Sequence, residues 1–280
     1  MANDFPAEIG KYKVTGILAK GGMGVIYKAV HPSLKRNVVI KKMTSRRLSS
    51  AERFKREAQI LLDLQSPYIV HLFDYFQEGS FRYMVEELVE GQALDNLIKK
   101  QTVLPVEIAM LIMQDACYAL KYAHSKDIVH RDIKPGNILI SRRGEVKLAD
   151  FGIASDEKDE DSRDKTETGM ALGTPAYMPP EQFEDSSSVD NRADIYALGI
   201  MLYEMITGTK PYSGEFTIEN LNTIRKGRYI KPRKIDRTIP KSVERLIAKM
   251  IQPKAKKRFQ SVEPILKRIK KYLKHYDTHA

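Results

Sequence analysis

Short apolar runs with the two-residue period of β-strands fill most of the first third of the chain. Turn-forming residues separate these runs, which lie at 12–18, 24–31, 37–42, 73–77 and 82–88. One stretch between them, 49–64, instead places Phe54, Ala58 and Leu61 at helical spacing. The pattern predicts a β-rich unit that contains one helix.

Helical spacing takes over after Gly91. Three segments are predicted as helices: 110–124, 193–207 and 243–251. Gly208 and Pro253 follow the last two of these segments and are typical helix stop signals.

The two patterns together predict an α+β fold of two lobes. A β-rich small lobe spans 12–88, a mainly helical large lobe spans 92–272, and a hinge near 87–91 joins them. A chain of 280 residues is long enough for two lobes that share a core. With 42% apolar and 30% charged residues, the composition is that of an ordinary globular protein.

The single cysteine, Cys117, excludes an internal disulfide and favours a reducing compartment. The sequence contains no run of about 18 apolar residues, and its start lacks a basic-then-apolar signal region. We therefore expect a cytoplasmic location, either as a free protein or as the cytoplasmic domain of a membrane-anchored one.

The net charge of +11 is unevenly distributed. Seven acidic and three basic residues occupy 156–167, whereas 254–274 holds nine Lys and Arg residues against Glu263 alone. Three interpretations of the basic C-terminal end stay open: a solvated helix face, contact with an anionic lipid surface, and nucleic-acid binding. Aromatic residues that would favour nucleic acid are few there, namely Tyr272 and Tyr276.

A glycine-rich turn at 18–27 lies between two predicted strands. Glycines there let backbone N–H groups approach a triphosphate without a clash at Cβ. The turn does not match a P-loop, and a strand follows it rather than a helix, which argues against a dinucleotide-binding fingerprint.

Other motifs follow this turn in a fixed order. A buried-strand run ends in Lys41, and Glu57 follows sixteen residues later in the predicted helix. The segment 130–137 reads His-Arg-Asp-Ile-Lys-Pro-Gly-Asn, and the triplet Asp-Phe-Gly begins at Asp150, eighteen residues after Asp132. Together these elements resemble the signature set of protein kinases, from about residue 12 to residue 259.

Further segments extend the resemblance. Residues 173–181 look like the end of a kinase activation segment, and 194–199 like the start of the large lobe's central helix. The family pattern implies a structural ion pair between Arg258 and Glu181. Within the family, the sequence most resembles the bacterial receptor-type Ser/Thr kinases, many of which carry extracellular PASTA repeats.

The resemblance implies a two-lobed protein kinase fold and a role for each motif residue. Asp132 would orient the substrate hydroxyl and accept its proton, and Lys134 would stabilise the transferring phosphoryl group. Asn137 and Asp150 would hold Mg²⁺, for which Mn²⁺ can substitute. The implied ATP-binding residues are Leu18, Ala19, Gly21, Gly22, Met23, Gly24, Ile26, Val39, Lys41, Glu57, Glu87, Val89 and Leu139.

The resemblance also implies regulation through the activation segment. An arginine before the catalytic aspartate, here Arg131, can grip a phosphothreonine. Thr166 and Thr168 match the threonine pair that bacterial relatives autophosphorylate, and Thr174 matches a substrate-positioning residue. The alternative, that the two threonines are ordinary polar loop residues, stays open. Expected partners are protein substrates and a second copy of the chain in an activating homodimer.

Four positions depart from the family pattern. Ala19 replaces the first glycine of the loop, Val39 replaces the alanine above the adenine ring, and Pro179 stands where alanine or serine is common. The alignment also places Glu86 at the gatekeeper position behind the adenine, unless the register is wrong by one residue. A carboxylate there needs a partner, for which Lys41 is the nearest plausible cation.

Two rival functions differ in class from an active kinase. A pseudokinase scaffold would require loss of one of four residues that are all present: Lys41, Asp132, Asn137 and Asp150. A nucleic-acid or membrane-surface binder would use the basic end as its primary site. No firm nucleic-acid signal supports that reading, and surface binding is compatible with kinase activity.

Overall fold

The computed structural model describes residues 5–21, 24–43, 58–151, 175–184, 189–215 and 217–277. Backbone contacts divide the chain into two compact units, Met1–Glu90 and Gly91–Ala280. Each unit has its own sheet and its own buried side chains.

The first unit is built on a six-stranded antiparallel sheet with the strand order β1-β2-β3-β4-β6-β5. Its strands are β1 (Glu8–Ile9), β2 (Tyr12–Gly21), β3 (Gly24–Val30), β4 (Asn37–Met43), β5 (Leu72–Glu78) and β6 (Phe81–Glu87). Residues 58–62 are helical, which confirms the described end of the helix predicted at 49–64. The remainder of that prediction lies outside the described residues.

One face of this sheet carries the core of the unit. Alternate residues along the strands point to the same side, so the apolar positions of neighbouring strands meet there. Val38, Ile40 and Val85 are fully buried and pack with Tyr12 and Tyr27. The positions between them, including Val39 and Lys41, therefore face the opposite side of the sheet.

The second unit combines a small sheet with helices. Strands β7 (Gly91–Ala93), β8 (Ile138–Ser141) and β9 (Val146–Leu148) form an antiparallel sheet in that order. A Cβ at residue 91 would lie 1.9 Å from the carbonyl oxygen of Ile140, so only glycine allows β7 to approach β8 this closely.

The second unit has eight described α-helices, one of which is long and almost entirely buried. They are α1 (Leu94–Gln101), α2 (Val106–His124), α3 (Pro180–Glu184), α4 (Asn191–Thr207), α5 (Ile218–Lys226), α6 (Pro232–Ile235), α7 (Lys241–Met250) and α8 (Glu263–Asp277). Helix α4 is buried along almost its whole length and contacts α2 and α7. The Asp190 side chain caps its first turn, and Gly208 ends it with a φ of 71°, as the stop signal predicted.

The predicted architecture, a β-rich unit followed by a helical one, is confirmed. The structure adds elements that the sequence patterns did not predict, namely β1, the three short strands of the second sheet, and helices α1, α3, α5 and α6. Helix α2 begins at Val106 rather than at residue 110, directly after Pro105, which suits a helix start. Among the described residues, no helix combines the length and the apolar character needed to cross a bilayer.

Candidate active site

Four predicted nucleotide-binding residues of the first unit, Ala19, Ile26, Val39 and Lys41, lie on the face of the sheet opposite its core. Strand register aligns Ala19, Ile26, Lys41 and Met84 across four neighbouring strands. The next row places Val39 directly opposite Glu86. Residues that pair directly across antiparallel strands project to the same side, so all of these side chains share one face.

The glycine-rich turn is the hairpin between β2 and β3. Gly21 pairs with Gly24, whose φ of 127° suits glycine rather than an L-residue with a side chain. Leu18 precedes the hairpin and is about half exposed. Gly22 and Met23, also predicted to contact the nucleotide, lie outside the described residues.

Lys41 forms an ion pair with Glu86 on this face. The Lys41 Nζ atom lies 2.7 Å from Glu86 Oε2, and the two side chains are only 18% and 11% exposed. The structure thus confirms the sequence-based expectation that Lys41 is the cation partner of Glu86. Glu57, the family's partner for this lysine, lies outside the described residues.

Glu87, the last residue of β6, is another predicted nucleotide-binding residue of the first unit. Glu87 exchanges two hydrogen bonds with His71: its amide donates to the His71 carbonyl at 2.8 Å, and its Oε2 accepts from the His71 amide at 3.3 Å. Val89 follows in the non-helical segment before β7, and Leu139 lies in β8 of the second unit.

Three predicted catalytic and metal-site residues form one cluster in the second unit. Asp132 Oδ2 accepts a hydrogen bond from Lys134 Nζ at 2.6 Å and another from Asn137 Nδ2 at 3.2 Å. Asn137 Nδ2 also donates to the Asp132 carbonyl at 2.8 Å, and the Asn137 side chain is buried. A short loop therefore fixes a carboxylate, an ammonium group and an amide against one another.

The His130 side chain holds this loop in place through both of its ring nitrogens. Its Nδ1 accepts a hydrogen bond from the Asp132 amide at 3.3 Å, so its Nε2 carries the proton and donates to the Ala149 carbonyl at 2.9 Å. The imidazole is fully buried and packs on the Phe151 ring, with ring centroids 4.6 Å apart. His130 thereby ties the catalytic loop to the chain immediately before Asp150.

Asp194, in the first turn of α4, anchors the same loop by its backbone. Its carboxylate accepts hydrogen bonds from the amides of His130 and Arg131, each at 2.9 Å. It also accepts one from His124 Nε2 at 2.8 Å, and it is almost fully buried. Three donors therefore compensate for burial of this charge.

Two residues of the cluster's backbone adopt the left-handed conformation without being glycine. Arg131 has a φ of 66° and Asp150 a φ of 56°. Such positions are uncommon and store strain that the surrounding structure must hold in place. The anchors from Asp194 and His130 supply that restraint on either side of Asp132.

The donor set of this region fits a hard divalent cation. Both described bonds of the Asn137 amide use its nitrogen, so Oδ1 is the atom that the side chain offers to a metal. The Ala149 amide donates to the Asn137 carbonyl at 2.8 Å, which brings the chain before Asp150 beside Asn137. Across the described ranges, no group of three or more His, Cys, Asp or Glu residues could hold a metal. A cation at these residues would take part of its oxygen coordination from a ligand.

The activation-segment residues Thr166, Thr168 and Thr174 lie outside the described residues. The end of that segment is described, and there the predicted ion pair is confirmed. Arg258 forms a bidentate pair with Glu181, and the bond from its Nη2 to Glu181 Oε2 is 2.7 Å long. Arg258 is also held by the carbonyls of Gln252 and Pro253.

Sequence reasoning did not identify the anchoring roles of Asp194 and His124. Asp194 was recognised only as part of a helix start, and nothing in the spacing connects it to a loop more than sixty residues earlier. Helix packing creates the contact, so local patterns carry no signal for it. The resemblance to the family was the only signal that could have pointed to it.

Known proteins are similar to this chain over most of its length. A model of the protein kinase domain family matches residues 12–275. A probable serine/threonine-protein kinase of Clostridium perfringens is 35% identical over 267 residues, which cover 94% of this chain and 38% of the relative. The serine/threonine-protein kinase PknH of Mycobacterium tuberculosis is 37% identical over 255 residues, covering 90% of this chain and 40% of the relative.

A solved structure is similar as well. The crystal structure of Rad53 1-466 in complex with AMP-PNP has a TM-score of 0.77 and 25% sequence identity, and the match covers 92% of this chain and 64% of that chain. The chain belongs to the protein kinase family. Within that family, it is a protein kinase domain of the serine/threonine class, as the sequence predicted. The chain spans less than half the length of the two bacterial relatives.

Proposed function

We propose that this domain transfers the γ-phosphoryl group of ATP to Ser and Thr hydroxyls of proteins, including its own. The cluster of Asp132, Lys134 and Asn137 is the observation that carries the proposal. Asp132 orients the attacking hydroxyl and accepts its proton, while Lys134 stabilises negative charge on the transferring group. Phosphoryl transfer depends mainly on positioning and charge neutralisation, and these residues provide both.

The predicted metal ligands are Asn137, through Oδ1, and the Asp150 carboxylate. Bound Mg²⁺ would neutralise charge on the phosphate oxygens, and Mn²⁺ offers a similar preference for oxygen ligands. The chain's own contribution is to hold the amide and the carboxylate in fixed positions, through the hydrogen bonds of Asn137 and the packing of His130 on Phe151.

The sheet face of the first unit is the proposed nucleotide surface. Ile26 and Val39 present apolar side chains to the adenine, and Lys41 anchors the phosphates beside the glycine hairpin. The register that places these residues on one face supports the assignment. The other residues assigned to ATP binding are Leu18, Ala19, Gly21, Gly22, Met23, Gly24, Glu57, Glu87, Val89 and Leu139.

We further propose that autophosphorylation of Thr166 and Thr168 controls activity, and that Arg131 binds the phosphothreonine. Thr174 would position the substrate. A homodimer for activation, a cytoplasmic location and contact of the basic C-terminal end with a membrane surface complete the proposal. The composition of that basic end supports the last point.

Incubation with Mg-ATP, followed by intact-mass and peptide analysis, tests the proposal. The unmutated chain should gain phosphate on Thr166 or Thr168 and should phosphorylate a generic basic protein. Asp150→Asn should abolish both gains. Asp127→Asn removes one carboxylate at another left-handed position of the second unit and serves as the matched control. Absence of added phosphate on the unmutated chain and on the generic substrate would overturn the proposal.

A further inference from the structure

Helix α8 carries a dense basic surface. Its exposed cations are Lys267, Arg268, Lys270, Lys271 and Lys274. The only acidic residues of the helix are its first and last, Glu263 and Asp277. No acidic residue lies between these two ends to offset the exposed cations.

The four lysines form one stripe along the helix. At about 100° per residue, the spacing i, i+3, i+4 and i+7 confines Lys267, Lys270, Lys271 and Lys274 to an arc of about 100°. The opposite side of the helix carries the buried residues Ile265, Leu266 and Ile269, and the helix packs against α2. Because the apolar side is occupied within the fold, the stripe projects as a rigid cationic edge.

Neighbouring aromatic groups reinforce this arrangement. The Tyr272 hydroxyl donates to Glu107 Oε1 at 2.8 Å, which joins α8 to the first turn of α2. Lys270 Nζ lies 5.2 Å from the centre of the Tyr118 ring, and Arg268 lies over the Phe259 ring at 5.2 Å. Tyr272 is therefore engaged by a hydrogen bond, and the Tyr118 and Phe259 rings by contacts with cations of the helix.

We propose that this stripe docks on a bilayer surface containing anionic phospholipid. Clusters of four to eight cations on an amphipathic helix suit such surfaces. Lysine provides a flexible point charge for diffuse headgroup charge, whereas specific phosphate recognition favours the planar fork of arginine. Single-stranded nucleic acid would require aromatic rings available for stacking, and the described rings beside the stripe are engaged within the fold.

The inference deepens the membrane contact of the proposed function by assigning it a face, a set of residues and a lipid class. It does not depend on phosphoryl transfer. Vesicle binding can be measured without ATP, and phosphorylation of a soluble substrate can be measured without vesicles. Failure of one measurement therefore leaves the other interpretable.

Sedimentation with vesicles of phosphatidylcholine and phosphatidylserine tests the proposal directly. The unmutated chain should bind these vesicles, bind poorly to phosphatidylcholine alone, and lose binding as salt screens the charges. Lys267→Gln with Lys271→Gln should weaken binding about 30-fold, because each cation near an anionic surface contributes about fivefold. Phosphorylation of a soluble substrate should stay unchanged in this variant.

Lys234→Gln with Lys241→Gln is the matched control, since it removes the same charge from exposed lysines of α6 and α7. This variant should bind vesicles like the unmutated chain. Equal losses in the two double variants would show that binding follows net charge rather than this face, and would overturn the proposal. Absence of vesicle binding by the unmutated chain, or binding to DNA or RNA alone, would overturn it as well.

Discussion

The Lys41 ammonium lies 2.7 Å from the Glu86 carboxylate, across two neighbouring strands and on the face opposite the core. In the family pattern, the corresponding lysine pairs with a glutamate on a helix, here Glu57. In this chain, a residue of strand β6, Glu86, provides a carboxylate for the same lysine. The position of Lys41 is therefore coupled to the sheet itself.

A double-mutant cycle should detect this coupling. Lys41→Met and Glu86→Met should each destabilise the chain, and the double variant should recover about 1–3 kcal/mol relative to the sum of the single losses. The free energy of unfolding in urea measures the effect. Lys42→Met provides the control partner, because Lys42 lies on the opposite face with its Nζ 3.4 Å from the centre of the Phe81 ring. Coupling of Glu86 to Lys42 as strong as its coupling to Lys41 would contradict the prediction.

Glu86 should also select against apolar ligands. An apolar group placed behind the adenine would have to desolvate the carboxylate, which is costly unless the charge stays compensated. Glu86→Met should therefore raise the affinity of ATP-competitive inhibitors that extend an apolar group behind the adenine. It should leave the affinity of compact inhibitors nearly unchanged. Calorimetric titration with a matched pair of inhibitors measures both, and equal responses of the two would sink the idea.

Replacement of Asp194 should impair the catalytic step more than nucleotide binding. In the unmutated chain, three donors bind the carboxylate oxygens of Asp194. Asp194→Asn replaces one oxygen by an NH₂ group that cannot accept these bonds, which should destabilise the chain by about 1–3 kcal/mol. The resulting displacement of the catalytic loop should lower kcat roughly 100-fold. Steady-state kinetics should show a much smaller change in KM for ATP. Asp190→Asn is the control, because Asp190 caps the same helix, and kcat should be unchanged in this variant.

Asp190 should contribute a pH-dependent share of stability. Burial acts to raise the pKa of its carboxyl, but hydrogen bonds from Arg192 and the charge of Arg192 outweigh burial and hold the pKa below its usual value. A lowered folded-state pKa stabilises the chain above the unfolded pKa of about 3.9, and this contribution is lost as the pH falls through the folded pKa.

Asp190→Asn keeps an N-cap acceptor and removes the charge, so it isolates this effect. It should lower the free energy of unfolding by about 0.5–1 kcal/mol at neutral pH. The difference from the unmutated chain should shrink as the pH falls from the unfolded pKa of about 3.9 through the lower folded pKa, as measured by urea unfolding across a pH series. A difference that stays constant with pH would contradict the assignment to charge.

Cys117 should report the opening of the second unit. The thiol is fully buried in α2, and burial raises its pKa above the usual value, so little reactive thiolate forms. A thiol reagent at neutral pH should label the native chain only as fast as that unit opens, and rapidly in urea. The rate can be followed by the absorbance change of a chromogenic thiol reagent, and this change reports Cys117 alone because the chain has one cysteine. Immediate stoichiometric labelling of the native chain would refute the prediction.

The parts of the site that could be predicted from sequence are those within short segments. Asp132, Lys134 and Asn137 lie within six residues of one loop, so their mutual contacts are local. The sequence motif at 130–137 contains all three and predicted them together. The pair of Lys41 and Glu86 was expected because the family alignment placed Glu86 behind the adenine, where Lys41 is the nearest plausible cation.

The remainder depends on packing that local patterns do not record. Strands β7, β8 and β9 have only three or four residues each, too few for a two-residue period to stand out. Asp194 reads as an ordinary acidic residue in a first helical turn until α4 is buried beneath the catalytic loop. Arginine gives no signal for the left-handed backbone at residue 131, and aspartate gives only a weak one at residue 150.

Asp194 holds the loop through the amide groups of residues 130 and 131 and not through their side chains. Every amino acid except proline offers such an amide. As far as these two hydrogen bonds are concerned, the side chain at residue 131 can therefore change over evolution among the residue types that tolerate its left-handed backbone. A relative that is not controlled by phosphorylation could have another residue at this position, and the two amide hydrogen bonds to the aspartate would still hold the loop.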